Sequence, residues 1–343
     1  MPPTLSETKL LVQQAIGDRT VTVIGSGLSA AAGLPTMPQL ADLLLKNMPV
    51  DRSLASDWKP IADRLKTQDL ESAMDGISAG SPILSDVVKL VSAEVTKKER
   101  DVFDNLAKGE ALPLARLFTL LARVNSRIVV VTTNYDRLVE AASEQAGLPI
   151  DTSFTGAYFG RFDPETSRQL FESLPRQRDR RTAIATRQHV ALLKPHGSLD
   201  WFRVGDEPIR SITGIDSPPL IITPGSSKYE TGYERPFDHH RAAGNAAIDA
   251  ARALLIVGYG FNDSHLQTHL GPALNSGTSA VVLARTLSVA AHAQLASAPQ
   301  ILAMERTAGA AGRSTTVYHH GESAVYDGVD LWDLEVLIAE ALI

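Results

Sequence analysis

Short apolar runs rich in β-branched residues recur along the chain, and they constrain its fold more than any other feature. They occupy residues 20–24, 127–132, 192–194, 220–223, 254–257 and 280–283. Each run is too short for a helix and lacks the alternation of a half-exposed strand, and helical patterns flank it. These properties are typical of buried parallel strands. The sequence therefore predicts an α/β protein built on a parallel sheet.

The segments between these runs predict the rest of the architecture. An amphipathic helix is expected at residues 6–17, and purely helical periodicity over residues 38–125 predicts a helical insertion after the first βα unit. Residues 151–188 are polar and arginine-rich, which favours a loop with one short helix capped by Asp163. A closing amphipathic helix is expected within residues 330–343. No internal repeat is visible, and the length allows one large domain or two smaller ones. We expect a single domain over residues 1–343.

Composition excludes several classes of site. The 343 residues contain no cysteine, so disulfides, thiol nucleophiles, cysteine-ligated zinc and iron–sulfur clusters are impossible. The net charge of −6 argues against a globally basic nucleic-acid binder, and leaves the basic run at residues 175–188 as the local candidate for such contact. No leader pattern or membrane-length apolar run is visible. We therefore expect a cytoplasmic protein without a membrane contact.

Two strand-to-helix turns carry candidate ligand-binding residues. In GSGLSAAAGLP, Gly25 and Gly27 would let backbone N–H groups approach a phosphate at a helix start. Alanine at position 30 departs from the G-x-G-x-x-G fingerprint, so tight packing of the turn is the alternative. In TTNYD, Asn134 and Asp136 follow a buried strand, at the edge where open α/β sheets bind ligands. A helix N-cap is the alternative role for Asp136.

Two later turns have the same character. The segment LLKPHGSLDWF places His196 between a strand and a glycine, and imidazole suits acid–base chemistry near neutral pH. A purely structural histidine is the alternative. The segment LLIVGYGFND contains Gly258 and Gly260 before a polar helix start. Four polar turns at strand ends predict one shared ligand site. Although His265 and His269 have helical i, i+4 spacing, the glutamate of a zinc-protease motif is missing, and we predict no metal site.

The ordered set GSGLSAAAGLP, TTNYD, PHGSLDW and GYGFND resembles the sirtuin (silent information regulator) superfamily, most closely its bacterial sirtuin-like branch in antiphage defence. The resemblance spans roughly residues 21–263. It implies a Rossmann-like parallel sheet and NAD+ as the substrate. By this resemblance Gly25, Ser26, Gly27 and Ser29 lie along the NAD+ pyrophosphate.

The resemblance also implies roles for the other candidates. Asn134 matches the asparagine that orients the nicotinamide ribose and the attacking water, and Asp136 matches the carboxylate that supports the nicotinamide pocket. His196 matches the histidine that contacts the ribose hydroxyls and acts as general base. Gly258 and Gly260 match the loop near the adenosine ribose, where many members carry serine at the position of Gly260.

Departures from the deacetylase pattern change the expected reaction. The segment Thr36-Met37-Pro38 stands where protein deacetylases continue with Asp-Phe-Arg. Their zinc module needs four cysteines, and this chain has none, so no zinc ribbon is expected. We therefore expect water rather than acetyl-lysine as the acceptor. The predicted enzyme is a metal-free NAD+ hydrolase that releases nicotinamide and ADP-ribose.

The resemblance further implies a biological setting. The enzyme would act as an antiviral effector that depletes NAD+, as a homo-oligomer with a HerA-type ATPase translocase as partner. A short Argonaute is the alternative partner. Two other functions stay open: a non-catalytic module that binds NAD+ or ADP-ribose as a signal, and a nuclease subunit that grips DNA through residues 175–188. The nuclease would need a carboxylate cluster for a metal, and the spacing of acidic residues does not supply one.

Overall fold

A computed structural model describes residues 2–49, 54–78, 81–178, 181–222 and 234–343. The helices are α1 (Leu5–Ala15), α2 (Ser26–Ala31), α3 (Met37–Asn47), α4 (Ala55–Leu65), α5 (Leu70–Ala73), α6 (Pro82–Ala107), α7 (Pro113–Leu121), α8 (Leu138–Gln145), α9 (Pro164–Gln169), α10 (Phe237–Asp249), α11 (Ser264–Asn275), α12 (Val289–Ser297) and α13 (Leu334–Leu337), which a π-helical turn, Ile338–Leu342, continues. The strands are β1 (Thr20–Ile24), β2 (Arg127–Thr132), β3 (Ile150–Asp151), β4 (Phe154–Thr155), β5 (Phe159–Phe162), β6 (Glu172–Arg178), β7 (Arg181–Thr186), β8 (His189–Leu193), β9 (Trp201–Val204), β10 (Glu207–Ser211), β11 (Ala253–Val257), β12 (Ser279–Ala284), β13 (Leu302–Arg306), β14 (Ser314–His319) and β15 (Glu322–Asp327).

The main sheet confirms the predicted α/β class. Within the described residues it has nine strands in the order β15-β14-β13-β12-β11-β1-β2-β8-β3. The strands from β13 to β3 are parallel, whereas β14 and β15 are antiparallel additions. Alternate side chains of β11 enter two different apolar clusters, Leu255 and Val257 on one face and Leu254 and Ile256 on the other. Burial on both faces explains why these strands are continuously apolar.

Most of the predicted central strands are confirmed. The observed β1 and β2 have the predicted bounds, and β11 and β12 extend the predicted runs by one or two residues. The strand predicted at residues 192–194 is β8, which begins earlier and ends at Leu193, so that Lys194 opens the following turn.

The strand predicted at residues 220–223 was wrong. Ile221 makes only an isolated antiparallel bridge with Gly197, and Thr223 lies outside the described residues. The backbone N–H of Leu220 donates to the carbonyl of Trp201 at 2.7 Å, and that of Ile222 donates to the carbonyl of His196 at 2.9 Å. The segment is apolar because Ile221 and Ile222 are buried where it packs on the turn after β8.

The predicted helical insertion is confirmed, since α3 to α7 lie between α2 and β2. A capping box between Thr36 and Gln39 starts α3, and Pro82 and Pro113 stand at the starts of α6 and α7. Proline is favoured in the first turn of a helix because an N–H at that position would have no acceptor inside the helix. The buried side of these helices packs into the apolar cluster that also contains Leu255 of β11.

The loop predicted over residues 151–188 was wrong, although the short helix within it is confirmed. The side chain of Asp163 accepts a bond from the N–H of Thr166 and caps α9 as expected. Around α9 the chain forms short strands: β4 and β5 pair with β10 and β9 in a small antiparallel sheet, and β6 pairs with β7. A strand exposed on one face carries polar residues, and two-residue strands leave no periodic signal, so the composition resembled a loop.

The ends of the chain are close to expectation, with one addition. The first helix is confirmed as α1, and the closing helix is confirmed over residues 334–342, where its last turn is π-helical. The strands β13 to β15, which complete one end of the main sheet, were not predicted. The single domain over residues 1–343 stays a prediction.

Candidate functional site

An open cleft lies at the carboxyl edge of the parallel strands, beside β1. The chain adds β2 and β8 on one side of β1 and β11 and β12 on the other, so the strand order reverses there. Open α/β sheets bind ligands at such a reversal. The cleft has about 990 Å³ of empty space. The turns after β1, β2, β8 and β11 form one wall, and the helical insertion contributes Leu40, Glu71 and Val95 to the other.

The first glycine turn is tightly packed against the turn after β11. The N–H of Gly25 donates to the carbonyl of Val257 at 3.0 Å, and that of Gly27 donates to the carbonyl of Gly258 at 2.9 Å. A Cβ on Gly25 would lie 2.5 Å from the Gly258 oxygen, and a Cβ on Gly258, where φ is +62°, would lie 2.4 Å from the nitrogen of Leu28. Only glycine fits such contacts.

The glycines and serines predicted along the pyrophosphate and near the adenosine ribose therefore separate into two groups. Gly25, Ser26 and Ser29 line the cleft, as does Gly260 from the fourth turn. Gly27 and Gly258 are not among the lining residues, because they face each other across the two turns. The N–H of Gly27 is already engaged by Gly258, so it is not available to a phosphate in this arrangement.

Asn134, Ser29 and Asp136 form a hydrogen-bonded group in the cleft. The Asn134 amide nitrogen Nδ2 donates to the carbonyl of Gly25 at 3.0 Å and to Oγ of Ser29 at 2.7 Å. Ser29 Oγ donates in turn to Oδ2 of Asp136 at 2.6 Å. Both amide hydrogens of Asn134 are thereby used, which leaves its oxygen Oδ1 to accept from a ligand or water.

Asp136 is held by hydrogen bonds at both of its carboxylate oxygens, and the N-cap of α8 is Arg137 rather than Asp136. It is 5% exposed, and its Oδ1 accepts a bond from the N–H of Leu138 at 3.2 Å near the start of α8. Its Oδ2 fixes the Ser29 hydroxyl. The carboxylate is therefore held from both oxygens and stiffens the turn that carries Asn134.

His196 lies in the same cleft and has a carboxylate partner. Its Nε2 is 3.0 Å from Oδ2 of Asp263, and both side chains are almost fully buried. Oδ1 of Asp263 accepts from the N–H of Leu266 at 2.9 Å and so caps α11. A carboxylate held in this way orients an imidazole and selects its tautomer. Asp263 was not among the predicted site residues.

The cleft is rich in acidic groups. The carboxylates of Glu71, Asp136 and Asp263 all line it. Burial raises the pKa of the Tyr135 phenol strongly, and the Glu71 and Asp263 carboxylates raise this pKa further. The Tyr135 hydroxyl donates to the carbonyl of Ile222 at 2.7 Å. A cationic or electron-poor group is therefore favoured in the cleft.

Three other aromatic or histidine side chains lie outside the cleft. Trp201 is buried against Phe154 and His240 and is not among the residues that line the cleft. His269 pairs with Asp249 at 2.8 Å, whereas His265 lines a smaller pocket on the far side of His196. In the described part of the chain, no group of three or more acidic or histidine side chains could hold a metal ion. None of the described helices is long and apolar enough to cross a membrane.

Comparison with known proteins gives a family match for half of the chain. Residues 128–301 match the SIR2-like domain family. None of the curated proteins matches. Among solved structures, a Sir2 homolog–NAD complex aligns with 88% of this chain and 90% of its own, at a TM-score of 0.44 and 13% identity. Sir2Tm bound to a propionylated peptide aligns with 84% of this chain and 89% of its own, at a TM-score of 0.41 and 12% identity.

Proposed function

The chain belongs to the SIR2-like domain family, and from this premise we propose that it hydrolyses NAD+ to nicotinamide and ADP-ribose. One observation carries the proposal. The hydrogen-bonded group of Asn134, Ser29 and Asp136 and the pair of His196 and Asp263 line the same cleft at the strand-order reversal. A water-positioning amide and a buried imidazole are thus available to one substrate.

In the proposed reaction, water forms a bond to C1′ of the nicotinamide ribose as the bond from C1′ to the nicotinamide nitrogen breaks. The electron pair goes to the ring nitrogen, so nicotinamide leaves neutral, and the water proton goes to His196. Oδ1 of Asn134 accepts from the water and holds it for attack. Positive charge develops on the ribose as the bond breaks, and the carboxylates of Glu71, Asp136 and Asp263 stabilise it.

Water is the acceptor in this proposal because of the chain's composition. By resemblance, a protein deacetylase places its peptide against a zinc module with four cysteines, and the chain contains none. Beside the cleft stands the helical insertion, which contributes Leu40 and Val95 to the wall. Apolar groups there limit the access of bulk water to the reacting carbon.

The wider role rests on the resemblance alone. We propose a cytoplasmic antiviral effector that acts by depleting NAD+, works as a homo-oligomer and is controlled by a HerA-type ATPase partner. The non-catalytic sensor is the second candidate, since the same cleft would bind NAD+ without turnover. The nuclease is not favoured by any described group of carboxylates.

Release of nicotinamide from NAD+ by the purified chain, alone and with extract of phage-infected cells, tests the activity. Asn134→Ala and His196→Ala should each lower the rate about 100- to 10,000-fold, because each removes a group that positions or deprotonates the water. Asn275→Ala and His269→Ala serve as matched controls outside the cleft and should keep the wild-type rate.

The outcomes separate the candidate functions. Wild-type rates in both cleft variants, with correct folding by circular dichroism, would show that the assigned residues are not catalytic. If calorimetry detects NAD+ binding while neither condition gives nicotinamide, the sensor replaces the hydrolase.

A further inference from the structure

A buried lysine stands between the two turns that carry the proposed catalytic groups. Lys194 follows β8 directly, precedes His196 by two residues and has a side chain that is 1% exposed. Its ammonium nitrogen Nζ donates to the carbonyl of Asp136 at 2.6 Å, to Oγ of Ser198 at 2.9 Å and to Oε1 of Glu140 at 3.1 Å. All three ammonium hydrogens therefore have partners.

Two of these partners belong to the turn of Asn134 and to the turn of His196, and the third, Glu140, lies in α8. The carbonyl of Asp136 belongs to the first turn, and Ser198 belongs to the second. The carbonyl of Tyr135, also in the first turn, is 3.5 Å from Nζ and accepts from the N–H of Leu199 at 3.0 Å. The Lys194 ammonium thus joins the backbone of the first turn to the Ser198 hydroxyl of the second turn.

Burial of the Lys194 ammonium is energetically unfavourable. Burial of an ammonium and a carboxylate removes hydration that their attraction only partly restores, so an apolar pair of similar volume stabilises a fold equally well or better. Glu140 supplies the opposite charge, yet its second oxygen has no partner among the described residues. Stability alone therefore gives no reason for the charge, whereas its bond to the backbone of the first turn does.

We propose that Lys194 is a positioning residue that fixes the turn of Asn134 and Asp136 relative to His196. This inference rests on the proposed hydrolysis of NAD+. Lys194 is not among the residues that line the cleft, and it acts by holding the carbonyl of Asp136. Without the Lys194 side chain the first turn can shift, although the side chains of Asn134 and His196 are still present.

Two variants separate positioning from stability. Lys194→Met leaves the Glu140 carboxylate buried without its cation and should lower the melting temperature. Lys194→Met combined with Glu140→Gln removes both charges and should restore most of this loss. We expect kcat of the double variant to remain about 10- to 100-fold below wild type, since small displacements of reacting groups have effects of this size. KM for NAD+ should change much less.

Matched control variants test whether the loss of kcat is specific to the bond between Lys194 and the first turn. Glu140→Gln alone keeps the lysine bond to the Asp136 carbonyl and should keep kcat. Asp200→Asn combined with Arg210→Met removes a neighbouring buried ion pair, whose atoms lie 2.6 Å apart, without a bond to the first turn. This variant should lose stability but not turnover. Recovery of kcat in the Lys194→Met, Glu140→Gln variant along with its melting temperature would overturn the inference.

A second readout is independent of catalysis. Amide hydrogen exchange over residues 133–138, followed by mass spectrometry, should be faster in the double variant than in wild type and unchanged in the Asp200, Arg210 control. If the wild-type chain releases no nicotinamide, the proposed hydrolysis fails, and the exchange measurement still decides the role of Lys194. Unchanged exchange over this segment would overturn it.

Discussion

Asp263 shows how one side chain can serve both the fold and the site. One oxygen caps α11 through the N–H of Leu266, and the other bonds the imidazole of His196. An aspartate between a strand and a helix is fully explained by its role as a cap, so its position alone does not indicate a second partner. The signal was nevertheless present, because Asp263 belongs to the same GYGFND segment as the predicted Gly258 and Gly260.

Replacement of Asp263 by asparagine separates the two roles. Asparagine caps a helix about as well as aspartate, so the melting temperature should change little. The negative charge that orients His196 is lost, and we expect the rate of nicotinamide release to fall about 10- to 100-fold. Enzyme assays and thermal unfolding of the same preparation measure both effects.

Asp163→Asn is the matched control, because Asp163 caps α9 and is not among the residues that line the cleft. It should keep both stability and turnover. A full rate in Asp263→Asn would mean that the carboxylate serves the helix alone.

The predicted site residues differ in how well their positions could be inferred from the sequence. Asn134 and His196 stand directly after buried strands, and the cleft forms where those strands end, so their proximity followed from the topology. Gly27 and Gly258 were predicted beside the substrate. In the structure they face each other, and a Cβ on either one would collide with the backbone of the other's turn. The sequence alone cannot separate these two uses of glycine, since both require the missing Cβ. The role of Lys194 was missed because the residue was predicted to be the last of a strand.

At the scale of elements, the helical insertion is tied to the proposed catalytic turn by one buried carboxylate. Glu99 of α6 is fully buried and accepts bonds from the backbone N–H of Arg137 at 2.5 Å and from its Nε at 2.9 Å. Arg137 precedes α8 and follows Asp136 directly. The long helix therefore fixes the start of α8 and the end of the turn at once.

Glu99→Gln should weaken this connection. The amide has one acceptor oxygen instead of two and no charge, so Arg137 loses its counter-ion in a largely buried position. We expect the free energy of unfolding to fall by about 3 kcal/mol, as for other buried ion pairs that lose one partner. Urea denaturation measures the change. Asp101→Asn, in an exposed pair with Lys98 on the same helix, should change the free energy by less than about 1 kcal/mol. Equal effects of both substitutions would contradict a special role for Glu99.

Burial explains which elements could be predicted. The strands β1, β8 and β11 are buried throughout, so their composition alone identifies them. By contrast, β15 is exposed along most of its length and β5 along half of it. Their backbones pair with neighbouring strands that lie far away in the sequence or were themselves unpredicted. Such strands depend on tertiary contacts that no local pattern records.

Several histidines have lowered pKa values, and we expect them to make the free energy of unfolding depend on pH. His240 is fully buried, and its Nδ1 accepts from the N–H of Lys194 at 3.3 Å. Burial lowers the pKa of His240 well below its usual value, and the nearby charges of His239 and Lys194 lower it further. Burial also lowers the pKa of His189 and of His239. All three residues therefore favour the neutral ring in the folded chain.

The direction of the effect follows from proton binding. Below about pH 6.5 the unfolded chain protonates these histidines more readily than the folded chain does, so the stability present above that pH is lost as the pH falls. For His240 the loss approaches about 1.4 kcal/mol per pH unit. The free energy of unfolding, measured with urea between pH 7.5 and 5, should therefore decrease steadily towards acid. His240→Asn keeps an acceptor for the Lys194 N–H. It should reduce the slope of the free energy of unfolding against pH by the contribution of about one proton. An equal slope in wild type and His240→Asn would show that the folded chain protonates His240 as readily as the unfolded chain does.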